Sequence, residues 1–381
     1  MNQLPKKLQK KLEDRASNNA LRSLDSNSNL VDLSSNDYLG FSTSEIIFDK
    51  AFAILKEYNL EKNGATGSRL LSGNHPLYTM TETAIAGFHN CQEALVFTSG
   101  YSANMGFFSS VPQRGDFIFY DELCHASIRD GIQLSTAKSY KFKHDDLNDL
   151  VMMAERIQSP NGEVYVVTES AFSMDGDTPD LTALSQFCSE KGYYLVIDEA
   201  HGVGVFGETG GGKVQDLGLE QAIFARIITF GKALGCHGAA VLGSKELKQY
   251  LVNFARSFVY TTGLPPHGVA TIWAAYDYLS DNVVELQSLH RNIEILRLYI
   301  HQFQLEEYFV ASDSAIHCCI IPGNGRVKAV SEKLKENGFD VKAILSPTVP
   351  LGQERLRLCV HSFNTEDEIK NGVELIATFV K

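Results

Sequence analysis

Two short apolar runs, Tyr194–Ile197 and Ile227–Phe230, each stop at a polar cluster, and this pairing constrains the fold more than any other feature of the sequence. Both runs are rich in β-branched residues and too short for helices, so each is predicted to be a buried strand. The first ends in Asp198-Glu199-Ala200-His201 and the second in Gly231-Lys232. In an open α/β sheet, ligands sit beyond the carboxyl ends of the strands. The pattern therefore gathers Asp198, His201, Thr229 and Lys232 around one crevice. Lys232 follows an apolar strand and is flanked by Gly231 and Gly235, so desolvation should lower its pKa and make its amine nucleophilic. Asp198 would be costly to bury without a cation, so a pyridinium counter-ion is the preferred assignment; a helix N-cap is the alternative reading of the same residue. A carboxylate, an imidazole, a hydroxyl and an amine in one crevice suit pyridoxal phosphate. The lysine would anchor it covalently and the aspartate would keep its pyridine nitrogen protonated.

The rest of the chain alternates strands and helices in the manner of an α/β protein. A short strand in VDLSSNDYLGF runs into a turn, residues 45–60 and 76–89 read as helices, and GATGSRLLSGN (64–74) reads as a glycine- and serine-rich loop. The strand at 94–98 ends in Ser99-Gly100-Tyr101, with a helix expected from Ser102. Such a junction presents free backbone N–H groups and a helix N-terminus, a natural seat for phosphate; an ordinary βα turn reads equally well. Asp116–Tyr120 is another expected strand with His125 beyond its end, and VYVVTES leads to Ser173 and Asp175. His125 and His201 each have a second reading, as hydrogen-bonded core histidines. From about residue 245 the pattern turns helical, broken at Gly263 and Pro265-Pro266. The remainder mixes helices with strands such as Ala315–Ile321 and Arg355–Cys359. The division expected is an N-terminal segment (1–44), a large domain (45–278) and a smaller α/β domain (279–381).

A chain of 381 residues with 44% hydrophobic and 21% charged residues can bury a large core. Its net charge of −12 argues against nucleic acid or an anionic membrane as main partner. The seven cysteines are scattered with no metal-like spacing, which fits reduced thiols, a cytoplasmic location and no metal site. No run approaches membrane-spanning length. Leucines at 4, 8 and 12 mark a short amphipathic helix, expected to pack on another subunit or cover the site.

Two glycine motifs compete with this reading. Gly202 to Gly207 matches GxGxxG, but no helical segment follows and DEAH separates it from the strand. Gly207 to Lys213 matches GxxxxGK beside DEAH, which makes a P-loop ATPase the distant alternative. Position 214 is valine, however, leaving no hydroxyl for magnesium. A flexible loop beside the site is the expectation for these glycines.

SSNDYLG, GATGSRLLSGN, FTSGYSAN, DELCHAS, TESAFSMDGD, IDEAHGVGVFGETG, TFGKALG and PTVPLGQERLRL follow one another across nearly the whole chain. Together they resemble the α-oxoamine synthases, fold-type-I pyridoxal-phosphate enzymes that condense an amino acid with an acyl thioester and release CO2. The resemblance implies a large, mostly parallel seven-stranded sheet with helices on both faces plus a smaller C-terminal α/β domain. It also implies a homodimer with its site at the interface. The compact N-terminus and the GATGSRLLSGN variant are most similar to members of biotin biosynthesis. Those members join L-alanine to pimeloyl-CoA or a pimeloyl-acyl carrier protein. Members that use glycine or serine, or that act as 2-amino-3-ketobutyrate CoA ligases, are the alternatives.

By the same resemblance the catalytic set is Lys232, His125 and Asp198. Lys232 would hold the coenzyme, Asp198 its pyridine nitrogen and His201 its phenolic oxygen, with His125 stacked over the ring. Gly100, Tyr101 and Thr229 would hold its phosphate, with Thr262 serving the neighbouring subunit. Ser173 and Glu169 would lie against the cofactor. Arg22, Asn36, Thr348 and Arg357 would engage substrate. Family members often carry arginine where this chain has Leu345, which leaves Arg357 to hold a substrate carboxylate alone.

Overall fold

The computed structural model describes residues 4–22, 24, 29–157 and 162–381. The remaining residues of the expected N-terminal segment, 1–3, 23 and 25–28, lie outside it. Along the chain, strand β1 (Val31–Asp32) precedes seven strands: β2 (Glu93–Phe97), β3 (Phe117–Asp121), β4 (Lys138–Phe142), β5 (Val164–Glu169), β6 (Tyr194–Asp198), β7 (Ala225–Thr229) and β8 (Ala239–Gly243). Four more follow, β9 (Ile316–Ile320), β10 (Phe339–Asp340), β11 (Lys342–Ile344) and β12 (Arg355–Cys359).

The described chain divides into two units. The larger comprises Asn36–Ser173 and Thr178–Ser288; the smaller comprises the described residues up to Ser35, Met174–Asp177 and Leu289–Lys381. In the larger unit β2 to β8 form one seven-stranded sheet in the order β2-β8-β7-β6-β5-β3-β4. Every pairing is parallel except those of β8, which runs antiparallel to β2 and β7. The seven-stranded, mostly parallel sheet is thus as expected.

Side chains alternate between two cores. Ile118, Val167, Val196 and Ile227 meet Phe107 and Phe108 of helix Gly100–Ser110 on one face. Phe119, Val166, Leu195 and Ile197 meet Leu184 and Phe187 of helix Leu181–Lys191 on the other. Helices on both faces explain why β5 is buried along its whole length. Helix Gly100–Ser110 begins two residues earlier than expected because Ser99, not Tyr101, caps it: the Ser99 side chain and the Ser102 hydroxyl exchange hydrogen bonds with each other's backbone N–H.

In the smaller unit β11, β12 and β9 form an antiparallel sheet, and β1 pairs with β10 in parallel. The amphipathic N-terminal helix forms over Lys6–Ser17, with Leu4, Leu8 and Leu12 about half exposed. No described helix is long and apolar enough to cross a membrane.

Candidate active site

Parallel register brings the strand ends together: Glu169 of β5 pairs with Asp198 of β6, and Asp198 pairs with Ile227 of β7. Beyond these ends lies a cavity lined by Gly100, Tyr101, Asn104, His125, Ser127, Glu169, Asp198, Ala200, His201, Thr229 and Lys232. It encloses about 550 Å3, part of it open to solvent. Eight residues expected at the cofactor line it: Gly100, Tyr101, His125, Glu169, Asp198, His201, Thr229 and Lys232.

Lys232 Nζ lies 2.5 Å from His201 Nε2, and the other ring nitrogen of His201 lies 2.7 Å from the hydroxyl of Tyr38. That hydroxyl also reaches Asn36 Oδ1 at 3.1 Å. Tyr38 is fully buried, so this chain sets the imidazole rigidly against the lysine. Asp198 ends β6 and is no helix cap, since no helix follows it. Its Oδ1 accepts the Ala200 N–H at 2.9 Å and its Oδ2 accepts Asn104 Nδ2 at 2.8 Å. No cation is ion-paired with this buried carboxylate among the described residues.

Thr229 closes another wall. A Cβ built on Gly100 would lie 3.6 Å from Thr229 Oγ1, so the hydroxyl stands close to the helix N-terminus. The first-turn N–H groups of Gly100 and Tyr101 have no intrahelical acceptor, as at any helix start. His125 faces the cavity with much of its ring open. Protein on its other sides still removes enough water to lower its pKa, with Asp198 opposing this shift and Lys232 adding to it. Burial, with the Asp198 carboxylate beside it, pushes Glu169 up to about 8, while Glu169 Oε1 accepts the His125 N–H at 2.5 Å.

That raised value has a sign. Between the ordinary carboxyl value of 4.5 and about 8, folded Glu169 retains a proton that the unfolded chain has released. Stability therefore falls as pH rises through this window and levels off above it. Glu169→Gln should flatten the decline, which is at most about 1.4 kcal/mol per pH unit. Urea unfolding followed between about pH 5 and 9 measures the slope; an unchanged slope would place the titration on another group.

The other expected residues are not part of this lining. Asn36 stands behind Tyr38, Ser173 is half-buried after β5, and exposed Thr262 bridges to Ser68. Arg22, Thr348 and Arg357 belong to the smaller unit, where Arg22 Nη2 donates to Thr348 Oγ1 at 3.0 Å. Arg357 is buried in β12, its Nη1 3.0 Å from Cys359 Sγ. Sequence reasoning missed Asn104, Ser127 and Tyr38.

The glycine loop departs from expectation. Residues 202–206 and 210–212 are buried, and Gly204 N–H donates to the Gly210 carbonyl at 2.8 Å. Gly212, at φ +98°, sits where a Cβ would fall 2.7 Å from Glu199 Oε1. Only glycine tolerates that backbone and that approach. Lys213 opens a four-residue helix and lies 3.4 Å from Asp216, so the strand–loop–helix unit of a P-loop is absent here.

The donor set fits pyridoxal phosphate. It offers a lysine amine, a buried carboxylate awaiting a cation, and a helix N-terminus with a hydroxyl for a phosphate. Comparison with known proteins agrees. The family model for aminotransferase class I and II matches residues 28–376. The chain is 39% identical to 8-amino-7-oxononanoate synthase of Emericella nidulans, over 97% of this chain and 93% of that one. Among solved structures it is similar to 8-amino-7-oxononanoate synthase of Francisella tularensis (29% identity, TM-score 0.77, 92% and 97% of the two chains). It is also similar to serine palmitoyltransferase of Sphingomonas wittichii (27% identity, TM-score 0.86, 92% and 87%).

Proposed function

The chain belongs to the aminotransferase class I and II family and, within it, to the α-oxoamine synthases, pyridoxal-phosphate enzymes; on that premise we propose that it joins L-alanine to a pimeloyl thioester, releasing CO2 and the free thiol. The product would be 8-amino-7-oxononanoate, a step of biotin biosynthesis. The observation that carries this reading is 39% identity extending over 97% of the chain to an enzyme of that name. Serine palmitoyltransferase overlays more closely, with TM-score 0.86 against 0.77, and this favours a serine-using member as the second reading. Backbone overlay reports the fold, whereas substrate choice lies in side chains, so the greater sequence identity weighs more.

Pyridoxal phosphate supplies a ring that takes up the electron pair left at the amino acid's α-carbon. Lys232 would hold the coenzyme through Nζ, and its amine would carry the α-carbon proton. His201 orients that amine from 2.5 Å. Asp198, fixed by the Ala200 N–H and Asn104, holds the proton on the pyridine nitrogen. Gly100, Tyr101 and Thr229 bind the phosphate, with Thr262 of a second copy in a homodimer assigned to the same group. Ser173 and Glu169 flank the cofactor. Asn36, Arg22, Thr348 and Arg357 are assigned to substrate, Arg357 to its carboxylate.

Incubating the protein and pyridoxal phosphate with alanine, glycine or serine, carboxyl-labelled, and pimeloyl-CoA or pimeloyl-acyl carrier protein tests this. Labelled CO2 and free thiol should form in equal amounts with alanine, and at least about tenfold more slowly with glycine or serine, the discrimination one small group supports. Turnover with serine or glycine alone would move the assignment to the second reading.

A further inference from the structure

Asn104 in helix Gly100–Ser110 and Ser127 in helix Ala126–Leu134 are buried, at 2% and 1% exposure, and both line the cavity. Their hydrogen bonds have a forced direction. Asn104 Nδ2 lies 2.8 Å from Asp198 Oδ2; a flipped amide would set oxygen against carboxylate, so the nitrogen faces Asp198. The second hydrogen of that nitrogen goes to Ser127 Oγ at 3.0 Å. Ser127 Oγ, accepting there, still has its own hydrogen to donate and lies 2.7 Å from His125 Nδ1. The Ser127 backbone N–H reaches the same Nδ1 at 3.3 Å. With two donors converging on it, Nδ1 holds the lone pair, and the proton of the neutral ring is on Nε2.

We propose that Asn104 and Ser127 are positioning residues that hold His125 in its Nε2–H tautomer, so that the ring presents a hydrogen-bond donor to the cavity. In that form His125 donates to a substrate oxygen, the carboxylate or the thioester carbonyl, and has no lone pair there to act as a base. The carboxylate assigned to the coenzyme's nitrogen thereby also sets the tautomer of the ring above it, through two neutral side chains. The consequence for substrate rests on the function proposed above; the tautomer does not.

Protein labelled with 15N-histidine, examined without coenzyme and then loaded, tests the inference. His125→Gln identifies the resonances of this ring among the eleven histidines. The neutral ring should show a pyrrole-type Nε2 and a pyridine-type Nδ1. Ser127→Ala should mix the two tautomers and lower kcat about five- to tenfold, the worth of one hydrogen bond, with KM little changed. Ser127→Thr, which keeps the hydroxyl, should restore both. Lost packing alone would lower the melting temperature and leave the tautomer untouched. A pyrrole-type Nδ1 in the unaltered protein, or an unmixed spectrum in Ser127→Ala, would overturn the proposal. The expected tautomer in a protein that condenses no thioester would uphold it and count against the function instead.

Discussion

Replacing Lys232 with alanine should abolish turnover, by at least about 10³-fold, while the fold and the melting temperature stay close to those of the unaltered protein. On the proposed function two tasks would end at once: the amine would no longer hold the coenzyme, and no group would remain beside His201 Nε2 to carry the α-carbon proton. Proton transfer by a positioned group is worth roughly 10²–10⁴-fold by itself. Lys232 is only partly buried, so stability has little to lose. Steady-state release of thiol from pimeloyl-CoA measures the effect. A variant retaining a tenth or more of the rate would move the chemistry to another residue.

The largest effect on stability is expected at Arg226. Its guanidinium, 3% exposed, pairs with fully buried Glu199 at 2.5 Å and donates to the carbonyls of Gly211 at 2.8 Å and His89 at 3.1 Å. Glu199 Oε1 in turn accepts the Val214 N–H at 3.0 Å. This pair therefore ties the glycine loop to the centre of the sheet, next to the strand end that bears Asp198. Complete burial, with the Arg226 charge adding to it, pushes the His89 pKa well below the ordinary range. Arg226→Leu would leave the Glu199 carboxylate buried and unpaired, a loss of about 3–5 kcal/mol. In a unit of this size the melting temperature should fall by roughly 10 °C. The double variant Glu199→Met/Arg226→Leu should recover most of that loss, because both charges go together. Thermal unfolding of the single and double variants decides the point; equal losses in both would show that packing matters here and charge does not.

How much of this was legible in the sequence follows from where each residue sits. Asp198, Thr229 and Lys232 close apolar runs, and a polar stop after a buried strand marks a sheet's carboxyl edge. The sheet and the crevice could therefore be inferred from period and polarity. Asn104 offers no such signal. It stands inside a helix, where a polar residue ordinarily faces water, and its partner Asp198 is 94 positions away. Tyr38 likewise meets His201 across 163 positions.

Two strands of the seven-stranded sheet also escaped notice. The segment KSYKF of β4 lies at the sheet's edge with four of its five residues exposed, so it lacks an apolar run and carries the lysines that discourage edge pairing. The segment AAVLG of β8 is built of small residues between glycines and reads as loop until β2 and β7 are placed on either side. Composition misled most at the glycine loop. Glycines that look like flexibility are there because a side chain would run into Ser170 at Gly202, Ala233 at Gly204 and Glu199 at Gly212.

The claim beneath all of this is that one lysine, at the end of β7, carries the coenzyme. Borohydride reduction of the loaded protein, followed by digestion and mass spectrometry of the peptides, tests it most directly. The account predicts a pyridoxyl-phosphate increment on the peptide containing Lys232 and on no other. An increment on Lys213 or any other lysine, or none at all, would contradict it.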